Sequence, residues 1–187
     1  DDLSSISSGP TVPDETSFND VKKILRKYNL WNDIHKSIKA HIELGILDKS
    51  LETPDKTNKV FLNVENTLIG SNNLCLKSID SLCKKKYINS KIWKTNIEGD
   101  VQVIAKNFVS DLKKKNYKKP IILISGGEST VKIKGKGKGG RNQEFALHFI
   151  KNIKKYLSNL KFTLLSAGTD GRDGPTNAAG AIVNDKS

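Results

Sequence analysis

The chain has 187 residues, 28% of them charged, and a formal net charge of +12 at pH 7. It is long enough to bury a core, and no stretch approaches the roughly 18 apolar residues of a membrane span. Only three of its 32 basic residues are arginines, and the lysines are spread along the whole sequence. This pattern indicates a general preference for lysine and argues against a nucleic-acid footprint.

The sequence has no methionine and opens on Asp1-Asp2-Leu3, which predicts a piece of a longer protein. No apolar signal region opens the chain. Cys75 and Cys83 are expected on one helix, roughly 12 Å apart, too far for a disulfide. Free thiols are typical of a reducing compartment, so we expect a cytoplasmic protein.

Helices and short strands are predicted through the first half of the chain. Ser17 is a candidate cap for a helix over residues 18–28. A second helix is expected from Trp31 to Leu44, ending at Gly45. Apolar patterning then predicts a strand over 60–69, a helix over 73–86, a strand over 90–95 and a helix over 100–115.

The second half continues the same alternation. Residues 121–124 form an apolar run typical of a strand buried on both faces, and residues 131–134 alternate between apolar and basic. A helix is predicted over 142–160, followed by another buried strand over 162–165. Strands alternating with helices predict an α/β fold with a parallel sheet covered by helices.

A glycine-rich stretch from Ser125 to Glu144 follows the apolar run at 121–124. It contains six of the fourteen glycines, four lysines and Arg141. Dense glycine suits a backbone that approaches a ligand closely, and cations beside a helix start favour an anion such as phosphate. The competing interpretation is a flexible basic hairpin without a ligand.

A second glycine-rich loop, residues 166–176, follows the strand at 162–165. It carries Asp170 and Asp173, which are oxygen ligands of the kind that Mg²⁺ prefers, together with Arg172. Cations in one loop and carboxylates in the other suit phosphoryl transfer, since the first neutralise phosphate and the second hold metal or accept a proton. The alternative is a pair of surface turns in which aspartates cap local amides.

Residues 135–140 formally match the G-x-G-x-x-G pattern of dinucleotide-binding proteins. The preceding segment alternates with lysines, and the acidic residue expected about twenty positions later is missing, which argues against that function. A Walker-type phosphate loop is absent. The three histidines show no metal-ligand spacing.

Two long motifs resemble a known family. The segments 125–130 and 135–147, with 167–171, 173–176 and 178–181, are similar to the two signatures of the MOFRL domain of class II glycerate kinases. Earlier pieces, 1–14, 52–54 and 69–72, look like the late part of that family's Rossmann-like domain. The resemblance departs from the family pattern at Asn177, where an aspartate is usual, and it lacks the family's amino-terminal half and its last glycine-rich signature.

The resemblance implies two partial α/β domains: the end of a Rossmann-like domain at 1–117 and a truncated MOFRL domain at 118–187. It implies ATP- and Mg²⁺-dependent phosphorylation of D-glycerate to 2-phosphoglycerate. An NAD(P)-dependent hydroxypyruvate reductase is the alternative. Glycerate and ATP are the expected partners, without nucleic acid or membrane, and a homodimer is left open.

The same resemblance nominates the site residues. Arg141, Asp170 and Asp173 are the expected catalytic residues, and the two aspartates are also the candidate metal ligands. Substrate or nucleotide contacts are expected from Ser8, Gly9, Pro10, Thr11, Ser71, Asn72, Gly126, Gly127, Glu128, Gly137, Gly139, Gly140 and Asn142.

Overall fold

The computed structural model describes residues 2–115 and 117–187. The chain divides into two compact units, Asp1–Ile69 and Gly70–Ser187. The predicted domain boundary near residue 117 falls inside the second unit. No helix in the described part of the chain is both long enough and apolar enough to cross a membrane.

The first unit is built on two helices, α1 (Phe18–Lys27) and α2 (Lys36–Leu47). Ser17 caps α1 as predicted: its hydroxyl accepts from the Asp20 amide, and the Asp20 carboxylate accepts from the Ser17 amide. Together the two contacts form a capping box. The prediction for α2 was wrong at both ends, because the helix begins at Lys36 and continues past Gly45 to Leu47.

The strand predicted over residues 60–69 is also wrong. A 3₁₀ helix occupies Lys59–Asn63, and the rest of the segment lacks regular structure. The Asn58 side chain accepts from the Val60 amide at 3.0 Å, which favours a turn there. Val60 and Leu62 are 56% and 79% exposed, so no sheet covers their apolar side chains.

The second unit alternates helices and strands. Its elements in chain order are α3 (Asn72–Lys85), β1 (Ser90–Asp100), α4 (Val101–Lys114), β2 (Ile122–Thr130), α5 (Arg141–Tyr156), β3 (Thr163–Ala167) and β4 (Gly180–Asn184). Strands β1 and β2 pair in parallel, as the predicted α/β class requires. Strands β3 and β4 form a separate antiparallel pair.

The core of this unit lies between its helices and both strand pairs. It is centred on Ala105, Phe108 and Val109 of α4 with Phe149 and Ile153 of α5. Trp93, Leu123 and Leu164, from three different strands, pack against that cluster. The described core therefore runs continuously beneath both sheets.

Three segments of the second unit differ from what their sequence patterns suggested. The apolar run at 121–124 is buried only in part: Leu123 packs against the core cluster and Ile124 is buried, whereas Ile122, on the same face as Ile124, is 41% exposed. The strand at 162–165 begins one residue later and has one open face: Leu164 packs on the core and Leu165 is exposed. The segment 131–134, which alternates in sequence, has no strand structure.

Candidate functional site

The predicted site residues are divided between the two units. Ser8, Gly9, Pro10 and Thr11 belong to the first, and all the others belong to the second.

The turn at residues 7–9 has an unusual backbone. Ser7, Ser8 and Gly9 have φ values of 50°, 65° and 64°, a left-handed conformation that costs free energy for residues other than glycine. A Cβ at Gly9 would lie 2.8 Å from the Ser4 carbonyl oxygen, so glycine is required there. Thr11 is tied down by a hydrogen bond between its hydroxyl and the Asn66 side chain. The turn is thus a fixed feature of the first unit.

Asn72 and Gly126 come together in the second unit. Ser71 caps α3, accepting from the Leu74 amide at 3.1 Å, and this places Asn72 at the start of the helix. The Asn72 side chain donates to the Thr95 carbonyl of β1 and lies directly against Gly126 of β2. A side chain at residue 126 would collide with the Asn72 amide, so glycine permits this contact.

The first glycine-rich stretch is half strand and half loop. Residues 125–130 continue β2 and pair with β1, Gly127 lying opposite Ile97. Gly127 has φ 145°, and a Cβ at this position would collide with the Ile97 backbone, so two constraints favour glycine. Residues 131–140 then form an exposed loop in which Gly137 and Gly139 have open space around them.

Arg141 is the first residue of α5 and reaches back to the end of β2. Its Nη1 donates to Glu128 Oε1 at 2.6 Å and to the Ser129 carbonyl oxygen at 3.2 Å. The Arg141 side chain remains 45% exposed, and the Glu128 side chain is 78% exposed. The guanidinium is therefore oriented by β2 while part of it faces solvent.

Asp173 is buried, with 2% of its surface exposed. Its Oδ1 accepts from the Asn142 amide and side chain at 3.0 and 3.2 Å, and its Oδ2 accepts from the Gln143 amide and side chain at 2.8 and 3.1 Å. Burial raises the pKa of this carboxyl, but the four hydrogen bonds outweigh burial and leave the pKa below its ordinary value. Asp173 is thus an ionised cap on α5 supplied from a distant loop.

This cap changes two expectations. The first-turn amides of Asn142 and Gln143, which a phosphate could have used, already donate to Asp173. Both oxygens of Asp173 are likewise occupied. The alternative in which an aspartate caps backbone amides thus describes Asp173, although the two amides lie 31 and 30 positions away in sequence.

Asp170 differs sharply from Asp173. It is exposed, and its Oδ1 accepts only a bond from the Arg172 amide, at 3.1 Å, among the hydrogen bonds of the described residues. Within residues 2–115 and 117–187, no cluster of three or more His, Cys, Asp or Glu side chains could hold a metal by itself. Mg²⁺ is commonly bound by one or two carboxylates together with phosphate oxygens, and Asp170 suits that mode.

Gln143 and Ser166 belong to this arrangement, although sequence reasoning assigned them no role. The Gln143 side chain bridges Asp173 and Thr176, with 3.1 Å between its Nε2 and Thr176 Oγ1. The Ser166 hydroxyl, on β3, donates to Asn142 Oδ1 at 2.8 Å. The sequence pointed to these two residues only through their places near the recognised motifs: Gln143 adjoins Asn142, and Ser166 lies two positions before Gly168.

The dinucleotide pattern lacks its structural context. Strand β2 ends at Thr130, and residues 131–134 between it and Gly135 have no regular structure. In a dinucleotide-binding fold the first glycine follows a buried strand directly. The match at 135–140 is therefore formal.

Comparison with known proteins gives a consistent assignment. Residues 121–187 match the MOFRL family, and residues 1–43 match a domain of unknown function, DUF4147. The chain is 38% identical to the glycerate 2-kinase of Pyrococcus horikoshii and to the D-glycerate 2-kinase of Thermotoga maritima, over 98% of its length in both cases.

A solved structure agrees with these matches. The crystal structure of a glycerate kinase from Thermotoga maritima superposes with a TM-score of 0.74 at 37% identity, covering 100% of this chain and 42% of that one. The chain likewise spans 42% of the length of the two curated relatives. Residues 121–187 therefore match the MOFRL family, and the chain is similar to curated glycerate kinases along nearly all of its length.

Proposed function

We propose that the protein carrying these 187 residues is a glycerate kinase that transfers the γ-phosphoryl group of ATP to the 2-hydroxyl of D-glycerate. The observation that carries the proposal is the 38% identity, over 98% of the chain, to proteins named glycerate 2-kinase and D-glycerate 2-kinase. In the proposed domain assignment, residues 1–117 are the late part of a Rossmann-like domain and 118–187 are part of the MOFRL domain.

In this reaction the glycerate hydroxyl oxygen bonds to the γ-phosphorus, and the bond from that phosphorus to the bridging oxygen of ADP breaks. The hydroxyl proton passes to a carboxylate. Charge on the transferring phosphoryl group is the main quantity that the protein must stabilise. Arg141, exposed and oriented by β2, supplies a fixed guanidinium that can contact two phosphate oxygens at once.

The two aspartates take different parts in the proposal. Asp170 is the exposed carboxylate and the candidate for holding Mg²⁺ or accepting the hydroxyl proton. Mg²⁺ held there would supply positive charge that neutralises the phosphates. Asp173 fixes the first turn of α5 and so keeps Arg141 in place beside Glu128. It is a positioning residue.

The remaining candidates are proposed to line the substrate or nucleotide site, although the Asn142 amide is not free for a phosphate because it donates to Asp173. Asn72, Gly126, Gly127, Glu128 and Asn142 lie near the β2 and α5 termini, where the parallel strands have their carboxyl ends. Open α/β sheets bind ligands at that edge. The loop glycines Gly137, Gly139 and Gly140 and the turn at residues 8–11 are proposed to contact nucleotide or glycerate.

The test uses the full-length protein with ATP, D-glycerate and Mg²⁺. We expect ADP release that depends on glycerate, stops with EDTA and returns when Mg²⁺ is added. ³¹P NMR of the product should show 2-phosphoglycerate. Oxidation of NAD(P)H with hydroxypyruvate, without ATP turnover, would contradict the proposal and favour the reductase.

We also propose a cellular location for the protein and a test of whether it forms a homodimer. Cys75 and Cys83 both lie on α3 and are free thiols, which supports a reducing compartment such as the cytoplasm. Fractionation of the source cells tests this. The homodimer left open by the sequence is tested by the sedimentation of the full-length protein.

A further inference from the structure

The loop between β3 and β4 is held against the first turn of α5 on both sides of Asp170. Before Asp170 in the chain, the Ser166 hydroxyl lies 2.8 Å from Asn142 Oδ1. After it, the Asp173 carboxylate accepts from the backbone amides of Asn142 and Gln143, at 3.0 and 2.8 Å. The place of Asp170 relative to α5 therefore depends on contacts made by its neighbours in the loop.

The two glycine-rich loops also meet at this point through their backbones. A Cβ at Gly140 would collide with the Asp173 side chain, and a Cβ at Gly174 would collide with the Gly139 carbonyl oxygen. Glycine at these positions therefore permits a close approach of one loop to the other. The contact lies at the start of α5, next to Arg141.

The directions of the side-chain hydrogen bonds follow from the charge on Asp173. An ionised carboxylate only accepts, so Asn142 and Gln143 both turn their side-chain NH₂ groups towards it, at 3.2 and 3.1 Å. This orientation places Asn142 Oδ1 opposite the Ser166 hydroxyl, which must donate. It also gives Gln143 Nε2 a second acceptor, the Thr176 hydroxyl oxygen, at 3.1 Å. The nitrogen and the oxygen of the Asn142 side chain are thus both engaged within the protein.

We propose that Ser166 and Gln143 are positioning residues for phosphoryl transfer. Acting through the first turn of α5 and its aspartate cap, they hold the loop that carries Asp170 in a fixed place relative to Arg141. The carboxylate that holds metal or accepts the proton and the guanidinium that contacts phosphate then act on the same phosphoryl group. Asn142 contributes to the site through the same contacts. This inference rests on the proposed kinase function.

Phosphoryl transfer makes such placement important, because the protein contributes mainly positioning and charge stabilisation. A misplacement of about 1 Å can cost about a hundredfold in rate. The Asp170 side chain is exposed, and among the described residues only the Arg172 amide, in the same loop, donates to it. Its own contacts therefore do not fix it relative to α5, whereas the hydrogen bonds of Ser166 and Gln143 join the loop to that helix.

The first test compares two substitutions of Ser166 in the full-length protein. Ser166→Ala leaves Asn142 Oδ1 without its donor, and kcat should fall about 10- to 100-fold. Ser166→Thr keeps the hydroxyl and should restore most of the rate. Ser158→Ala is the matched control, because Ser158 is an exposed serine beyond the end of α5, and it should leave kcat unchanged. Wild-type kinetics in Ser166→Ala would overturn the proposal.

The second test is a double-mutant cycle with Asp170. Ser166→Ala should lower kcat much less in an Asp170→Asn background than in the wild type, because a displaced loop cannot remove a contribution that is already lost. Gln143→Met keeps the side-chain length but removes the donor to Asp173 and Thr176, and it should follow the same pattern. Equal factors in both backgrounds, or losses that only follow the melting temperature, would make these residues structural and overturn the proposal.

Amide hydrogen exchange gives a readout that does not depend on activity. The Gly171 amide donates to the Gly168 carbonyl and the Arg172 amide to Asp170 Oδ1, both at 3.1 Å, so the two amides report on the loop. Ser166→Ala should speed their exchange, and Ser166→Thr should not. Unchanged exchange would mean that the loop is held without Ser166. A wild type without glycerate-dependent ATP turnover would contradict the proposed function itself, whereas an active wild type with an unaffected Ser166→Ala variant would contradict this inference alone.

Discussion

Arg141 joins two elements through its side chain, donating from Nη1 to Glu128 and to the Ser129 carbonyl at the end of β2. Lysine could keep the charge, but it cannot keep the planar fork that contacts two oxygens at once. In the full-length enzyme, Arg141→Lys should lower kcat/KM about a hundredfold, as for other groups that stabilise transition-state charge. Steady-state kinetics with ATP and D-glycerate measures the change.

The melting temperature of this variant should stay nearly constant, because an exposed ion pair contributes about 0–1 kcal/mol. Arg26→Lys is the matched control, since Arg26 is an exposed residue of α1 in the first unit. It should leave both kinetics and stability unchanged. Near-normal turnover of Arg141→Lys would remove this residue from the site, and a large loss of stability would make its role structural.

Substitutions at Asp173 and Asp170 should have different effects: the first should lower stability, and the second should lower activity. Asp173→Asn replaces an acceptor by a group that also donates, facing the amides of Asn142 and Gln143. We expect the free energy of unfolding at pH 7 to fall by about 1–3 kcal/mol. Asp170→Asn, at an exposed position, should leave stability unchanged and lower kcat. Urea unfolding and kinetics on both variants measure the two effects.

The stability effect of Asp173 should also depend on pH. Because its folded-state pKa lies below the ordinary value, its contribution is fully present above about pH 4 and is lost as the pH falls through the folded-state pKa. The difference between the wild type and Asp173→Asn should therefore shrink below about pH 4. A constant difference from pH 7 to pH 3 would contradict the ionised cap.

At the scale of elements, Gly45 shows why helix boundaries were difficult to predict. A glycine near the end of an apolar pattern normally marks a helix end, but Gly45 lies inside α2, buried against the Phe18 ring. Its position is set by contact with another helix, which no local pattern in α2 reveals. Ser17 was easier to interpret, since its capping partner Asp20 is three residues away.

Gly45→Ala therefore tests packing against helix propensity. Alanine favours a helix by about 1 kcal/mol over glycine, yet a Cβ here would overlap the Phe18 ring. We expect a net loss of about 1–3 kcal/mol from overpacking, measured by chemical unfolding. Gly70→Ala is the control, because a Cβ at Gly70 meets open space. A stabilised Gly45→Ala variant would show that the α1–α2 contact can relax.

The candidate site could be predicted only in part, because sequence patterns reveal local motifs but not contacts between distant residues. The glycine and aspartate motifs could be recognised in the sequence because they are contiguous. The structure brings Asn72 against Gly126 and Asp173 against the start of α5, and both contacts join residues far apart in sequence. The uncovered face of β3 was missed because an apolar run does not show which side of a strand has a partner.

For the whole molecule, the net charge of +12 makes a separate prediction. If the lysines are a general background, duplex DNA should bind weakly, without sequence preference, and binding should fall steeply as salt rises. Fluorescence anisotropy with two unrelated duplexes, between about 50 and 200 mM salt, measures this. Binding that prefers one sequence and survives the higher salt would indicate a nucleic-acid function for the basic loop.

The Asp173 cap also has a consequence for the order of folding. The residues that it joins, Asn142 and Asp173, are 31 positions apart. During synthesis α5 is therefore complete well before its capping carboxylate has been added to the chain. Until β3 and the following loop emerge, the first turn of the helix, with Arg141, has free amides and should fray. The geometry proposed for phosphate binding is thus among the last features of this unit to form.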